Sequence, residues 1–335
     1  MVEATSQKRL ETFLTENGQK AEITPLTPDA STREYFRVSL GEIMAIACVY
    51  PNDEAGKLQF KACEDVTNVF RQAKLPVAEI FASDESFGVI IHEDFGDIIL
   101  RDVLLKSDIA TRETYLNKAI TLIAEIQSAT PIATENNSIS SQLRFDEEKL
   151  NWELDFFKTH YFETFRNKKL SETNEKALIS EFSELSKELS NRARVLTHRD
   201  FHAANLMVFD ESLKIIDHQD ARIGSTSYDL VSLLLDRVTD LPTTDWLAGK
   251  RKYFLGERER LGLEKIDEAE FTEEFRLQTI QRCLKAIGTF SFQSANRGKT
   301  HFDQYIIPMF RIVLRACENL GRFPELQKII EKEIS

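Results

Sequence analysis

One segment limits what this chain can be more than any other: VLTHRDFHAANLMVFDESLKIIDHQDA, residues 195–221. A short apolar run ends in His198-Arg199-Asp200. A polar loop then carries Asn205, and a second apolar stretch closes on Ile215-Ile216-Asp217. On both sides the chain reads as helix. Residues 99–128 and 146–190 show helical periodicity, with Leu150, Leu154, Phe157 and Tyr161 on one face and Asp146 at a helix start. From Tyr228 onward the helical pattern returns. A strand-loop-strand insert in a helical chain therefore holds four aspartates, at 200, 210, 217 and 220, and three of the chain's six histidines.

The first hundred residues read differently. Residues 6–17 suit a short amphipathic helix ending near Gly18. EITPLTPDASTREYFRV reads as strand, turn and strand, with Pro25, Pro28, Asp29 and Ser31 in the turn. EIMAIACVY is a nearly unbroken apolar run stopped by Pro51, as a buried central strand would be. Helical spacing follows over 57–74 at Phe60, Cys63, Val66, Val69 and Phe70, and then AEIFASD and FGVIIHEDFGD read as two more strands. The texture changes after Gly96, and TENNSIS (134–140) reads as a polar loop. The expected layout is a strand-rich part over 1–95 and a larger helical part over 96–335 that contains the insert.

Composition narrows the partners. The 43 Lys and Arg against 55 Asp and Glu give a net charge of −12 over 335 residues, which argues against nucleic acid or an anionic membrane as the main partner. No apolar stretch approaches the ~18 residues of a membrane span. MVEATSQKRLETFL lacks the apolar core of a secretory signal, so a cytoplasmic protein is expected. The four scattered cysteines form no Cys-x-x-Cys pair and read as reduced core thiols.

An acid, then an amide five residues on, then a second acid at the end of the next strand suits a site that moves a phosphoryl group. Such transfer needs little covalent help from protein; it needs Mg²⁺ on phosphate oxygens and an acid to orient and deprotonate the attacking hydroxyl. Mg²⁺ prefers oxygen ligands, usually with only one or two carboxylates. Asn205 and Asp217 meet that need and leave Asp200 to take the proton of a hydroxyl. The competing reading, turn acids capping two hairpins, explains each residue singly but not their joint spacing.

His198-x-Asp200-x-x-x-x-Asn205 is the catalytic-loop pattern of kinases. Where protein kinases continue Asp-Phe-Gly, this chain has Asp217-His218-Gln219-Asp220-Ala221. With DASTREYFRV, LPVAEIFASDESFGVIIHEDFGD, IIDHQDARIGSTSYDLVSLL and RCLKAIGTFSFQSANRGKTHFDQYIIP, it resembles the aminoglycoside phosphotransferase-like superfamily. Within it, the likeness is to the bacterial anomeric kinases of N-acetylmuramate and N-acetylglucosamine, over roughly residues 8–325.

The resemblance implies an α+β, protein-kinase-like two-lobed fold, with a small strand-rich N-lobe, a large helical C-lobe and the active site in the cleft near the hinge. It implies ATP as co-substrate, Mg²⁺, an amino-sugar acceptor, a place in cell-wall recycling, and a monomer or weak dimer. Glu93, Asp94 and Phe95 fall in the hinge, whose backbone would meet the nucleotide base; Ser31 and Arg33 fall in the turn that would cover its phosphates. His198 and Asp229 would support the catalytic loop. Gln219 and Asp220 are candidates for substrate contact. Trp152 and the Phe157–Phe165 aromatic run are candidates for a sugar-stacking surface, with a core role the standing alternative. The strand Ala45–Tyr50 lacks the lysine that protein kinases place there, and Arg33, Arg37, Lys57 and Lys61 are the nearby cations. The rivals are a kinase for an aminoglycoside, choline, homoserine or another sugar, and a nucleotide-binding pseudokinase, whose mark would be loss of one of the three key residues.

Overall fold

A computed structural model describes residues 5–26 and 32–334. Along the chain run α1 (Ser6–Glu16), β1 (Ile23–Leu26), β2 (Glu34–Leu40), β3 (Ile43–Val49), α2 (Glu54–Gln72), β4 (Ile80–Asp84), β5 (Val89–Glu93), α3 (Leu100–Lys106) and α4 (Ile109–Ser128). Then come α5 (Thr130–Glu135), α6 (Ile139–Gln142), α7 (Glu147–Lys158), a π-helix (Thr159–Phe165), α8 (Glu172–Asn191), β6 (Val195–Thr197), β7 (Leu206–Phe209), β8 (Ser212–Ile215) and β9 (Arg222–Gly224). Helices α9 (Tyr228–Leu235), α10 (Thr244–Arg260), α11 (Glu268–Arg297), α12 (Ile306–Leu320) and α13 (Pro324–Ile334) complete an α+β chain. Among the described residues, no helix is long and apolar enough to cross a membrane.

Backbone contacts group the chain into two units. One comprises Met1–Arg112, Ile132–Ser140 and Ala203–Ala221; the other comprises Glu113–Pro131, Ser141–His202 and Arg222–Ser335. The insert of 195–221 is thus shared between them, whereas the sequence reading divided the chain once, at 95/96.

The first unit is built on an antiparallel sheet in the order β1-β2-β3-β5-β4. Side chains alternate across a strand with a period of two. On β3, Ala45, Ala47 and Val49 face the core with Leu10, Phe13 and Leu14 of α1. Cys48 faces the other way, toward Phe60 of α2. Cover on both faces is why β3 reads as an unbroken apolar run. Asp53 caps α2 by accepting the Gly56 N–H at 2.7 Å. Position 56 must be glycine because a Cβ there would lie 2.0 Å from the Pro51 carbonyl oxygen.

The β7–β8 hairpin belongs to this unit through backbone bonds. Val208 N–H donates to Ile98 O at 2.8 Å and Ile215 N–H to Pro76 O at 2.9 Å. Of the segment 134–140, read as a loop, residues 136–138 form a turn, between the end of α5 at Glu135 and the start of α6 at Ile139. Its two serines turn inward, while Thr134 to Asn137 stay exposed. Ser138 Oγ bonds Asp65, as does the Ile139 N–H at 2.9 Å, and Ser138 and Ser140 are buried.

The second unit is organised on α11, which packs against α7, α9, α12 and the π-helix. A buried polar chain runs along it. Ser225 Oγ donates to Gln278 Oε1 (2.7 Å), Gln278 Nε2 to Gln281 Oε1 (2.9 Å) and Gln281 Nε2 to Glu153 Oε2 (2.8 Å). Each link satisfies its two partners; at the end of the chain Glu153 Oε1 has no hydrogen bond, only the Lys149 ammonium 3.8 Å away. Phe157, Tyr161 and Phe162 are core residues, packed among Phe182 and Phe310, so that part of the aromatic run lines no sugar surface. β9, unseen in the sequence, pairs with β6; three residues, Arg-Ile-Gly, carry no readable alternation.

Helices α7 and α11 approach closely at Gly288, where a Cβ would lie 2.6 Å from Phe157 Cα. Neither backbone can yield without moving its helix. Gly288→Ala is therefore expected to destabilise the protein by about 1–3 kcal/mol, the range of core overpacking, as read from the midpoint of urea unfolding. A variant as stable as wild type would contradict this packing.

Candidate active site

In the second unit, β6 delivers His198-Arg199-Asp200. Arg199 has φ 81°, a left-handed conformation uncommon for a residue with a side chain. The backbone is held there by Asp229, near the start of α9 and fully buried. Its Oδ2 accepts the His198 N–H at 2.7 Å and its Oδ1 the Arg199 N–H at 3.0 Å. Burial pushes the Asp229 carboxyl up to about 6, although His198 and these two N–H groups pull it down.

The Asp200 carboxylate meets cations from α11. Lys285 Nζ donates to Asp200 Oδ1 at 2.9 Å, and Arg282 Nη2 lies 3.7 Å from the same oxygen. Arg199 Nε is 3.9 Å from Oδ2. Desolvation works to raise the carboxyl, but the charges of Lys285, Arg199 and Arg282 hold it well below the usual carboxylate range. Lys285 and Arg282 were absent from the sequence-derived site. The signal was there, since RCLKAIGTF sets two cations three residues apart in an otherwise apolar helical stretch, and such residues are seldom buried without a partner.

In the first unit, the Asn205 carbonyl accepts the Ile216 N–H at 3.1 Å, tying the loop to the end of the hairpin. Asp217 follows with φ 61°. Arg33 Nη2 lies 2.5 Å from Asp217 Oδ1, Gln219 Nε2 donates to the same oxygen at 3.2 Å, and Asn205 Nδ2 stands 3.5 Å from Oδ2. Gln219 also reaches Asp220 Oδ2 at 3.4 Å. His218 anchors the turn: Nε2 bonds Thr67 Oγ1 at 2.7 Å and the ring stacks on Phe70.

Arg33 is the cation that meets Asp217. The other three nearby cations have other partners: Lys57 with Glu54, Lys61 with Glu85, and Arg37 with Asp94 and Asp97. Glu64 on α2 accepts the Ser83 hydroxyl.

The remaining candidates are dispersed. Ser31 lies outside the described residues. The Asp94 carboxylate bonds Arg37 and the Gly96 N–H, and the Phe95 ring packs with Ala78 and Met207. Glu93 bonds Glu79 through backbone and side chain. Trp152 is 56% exposed, with the Lys149 ammonium 4.0 Å over its ring and Phe156 beside it.

Asp217 and Asn205 offer a carboxylate and an amide, whose oxygen faces a cation once the amide is turned. Among the described residues, no three His, Cys, Asp or Glu gather as a metal cage.

Residues 22–263 match the profile of the phosphotransferase enzyme family. Curated relatives named N-acetylmuramate/N-acetylglucosamine kinase occur in Neisseria meningitidis and Pseudomonas aeruginosa. Each is 26% identical, and the matches cover 91% and 93% of this chain and 87% of either relative. Among solved structures, the gentamicin complex of APH(2")-IIa superposes with a TM-score of 0.60 at 14% identity, covering 98% of this chain and 99% of that one. Choline kinase LicA from Streptococcus pneumoniae gives 0.59 at 13% identity, covering 95% and 99%. The chain belongs to the phosphotransferase enzyme family and has its protein-kinase-like fold.

Proposed function

We propose that this small-molecule kinase transfers the γ-phosphoryl group of ATP to the anomeric hydroxyl of an N-acetylated amino sugar. The observation that carries the reading is Asp200, a carboxylate kept ionised by Lys285 at the end of a braced loop, with Asn205 and Asp217 following at kinase spacing. Asp200 orients the acceptor hydroxyl and accepts its proton. Arg33, paired with Asp217, would supply to the nucleotide phosphates the positive charge that a strand lysine supplies in protein kinases. Asn205 and Asp217 would hold Mg²⁺, which neutralises phosphate charge when bound. The Glu93–Phe95 backbone would meet the base, since the Asp94 and Phe95 side chains are engaged elsewhere.

Two observations bear on the acceptor. The curated relatives named as amino-sugar kinases match over about nine-tenths of this chain. The charges around Asp200 include three cations, Lys285, Arg282 and Arg199, a poor setting for a polycationic aminoglycoside or for choline. The anomeric hydroxyl is the most acidic on a sugar and suits a carboxylate base acting with little help. Asp200, Asn205 and Asp217 are all present, which speaks against a pseudokinase.

ATP consumption measured across N-acetylmuramate, N-acetylglucosamine, its methyl glycoside, an aminoglycoside and choline tests the reading. The free amino sugars should be consumed and the methyl glycoside should not, and phosphorus NMR of the product should show coupling to the anomeric proton. A methyl glycoside consumed as fast as the free sugar would overturn the anomeric assignment.

Asp217→Asn should weaken the Mg²⁺ dependence of nucleotide binding by about 10-fold or more, since even outer-sphere partners of a metal carry that much. Titration of a fluorescent ATP analogue at varied Mg²⁺ measures it; an unchanged dependence would remove Asp217 from the metal site.

A further inference from the structure

The catalytic loop is braced twice, and the two braces do different things. Asp229 holds the backbone through the His198 and Arg199 N–H groups. Lys285 touches no loop backbone; its ammonium bonds the Asp200 side chain at Oδ1. A chain that needed only to fix the course of the loop already has Asp229. Lys285 is nevertheless kept on α11 with its side chain 15% exposed, one turn from Arg282 at 5%. Two like charges one turn apart on a helix repel, so their placement calls for a shared partner, and Asp200 is that partner. The platform is rigid. Arg282 Nε is locked on Ser232 Oγ at 2.8 Å, and Gly288 seats the same helix against the Phe157 backbone. A cation on such a platform fixes where a carboxylate oxygen points.

Resting on the proposed function, we propose that Lys285 is a positioning residue for phosphoryl transfer: by holding Oδ1 it turns Asp200 so that Oδ2 takes the acceptor's proton. In that step the acceptor O–H bond breaks and its proton passes to Asp200 Oδ2. The acceptor oxygen bonds the γ-phosphorus, and the bridging oxygen leaves with ADP. Lys285 makes or breaks no bond to substrate.

The charged and titratable groups facing Asp200 are Arg199 and His202 on its own loop, Tyr228 and Asp229 on α9, and Arg282 and Lys285 on α11. Glu153 on α7 acts on Lys285, and Asp236 acts on Arg282. Among the influences that hold Asp200 ionised, Lys285 is the strongest, against desolvation that would raise it. The sign follows. The base works only when deprotonated, so activity falls as pH drops through its pKa. With Lys285 present that fall lies below the ordinary aspartate range, and without its charge the fall moves to higher pH.

The test is the pH dependence of kcat for wild type, Lys285→Gln and Lys285→Arg, with melting temperature, nucleotide affinity and KM measured on each. Wild type should keep its kcat down to about pH 4, the ordinary aspartate value. Lys285→Gln, which keeps a hydrogen-bond donor without the charge, should lower kcat by about 10²-fold, in the range of acid–base contributions. It should bring the acid limb up by at least about one pH unit, equivalent to a tenfold change in proton affinity, with nucleotide affinity unchanged. Lys285→Arg should return the limb most of the way. A folded Lys285→Gln with the wild-type limb would overturn the proposal, and so would a wild-type limb lying above the aspartate range, a result that needs no variant to fold. Asp200→Asn separates this inference from the reading beneath it. Lost turnover there with an unmoved limb in Lys285→Gln sinks only the lysine's role, whereas retained turnover sinks the assignment of Asp200 itself.

Discussion

The buried carboxylate of Asp229 is the contact on which the 198–200 loop depends. It holds the His198 and Arg199 N–H groups together and so keeps Arg199 at φ 81°. A non-glycine residue in that region costs on the order of 1–3 kcal/mol. Hydrogen bonds to a charged group return about 1.5–3 kcal/mol each, so two of them outweigh the strain. The cost of burying the acid shows in its raised carboxyl, at about 6. The bent backbone is what presents the Asp200 side chain to α11 rather than continuing the β6 strand.

Asp217 is held by a second device of the same kind. It too is left-handed, at φ 61°. Here the restraint comes from the two side chains that follow it in sequence: His218 is clamped between Thr67 and Phe70, and Gln219 bonds back to the carboxylate. Arg33, at the approach to β2, supplies the charge. Under the proposed function, this arginine just before β2 stands in for the lysine that β3 lacks. Arginine's planar fork and permanent charge suit it to phosphate as well as to carboxylate.

Helix α11 gives the second unit its rigidity. Its buried Gln278 and Gln281 join a bonded polar chain that runs from Ser225 to Glu153. Its glycine admits α7 to close range, and its cations Arg282 and Lys285 meet Asp200. One helix therefore sets both the packing of the unit and the electrostatics of its acid.

The sequence alone determined whatever depends on near neighbours. The spacing of Asp200, Asn205 and Asp217, the apolar runs of β3 and β5 and the periodicity of α2, α7 and α8 are local patterns, and they were readable because the period of a strand or helix and the reach of a loop are fixed by backbone geometry. Tertiary structure decided the pairings across long separations. Arg33 finds Asp217 over 184 residues and Lys285 finds Asp200 over 85. Polar residues at 138 and 140 that suggested a solvated loop turn inward to Asp65 and to each other, and the aromatics at 157, 161 and 162 close a core. No local rule selects those partners. A charge or a ring on a helix has the same propensity whichever element it meets, and only the packing of distant segments fixes which one stands within 3 Å of it.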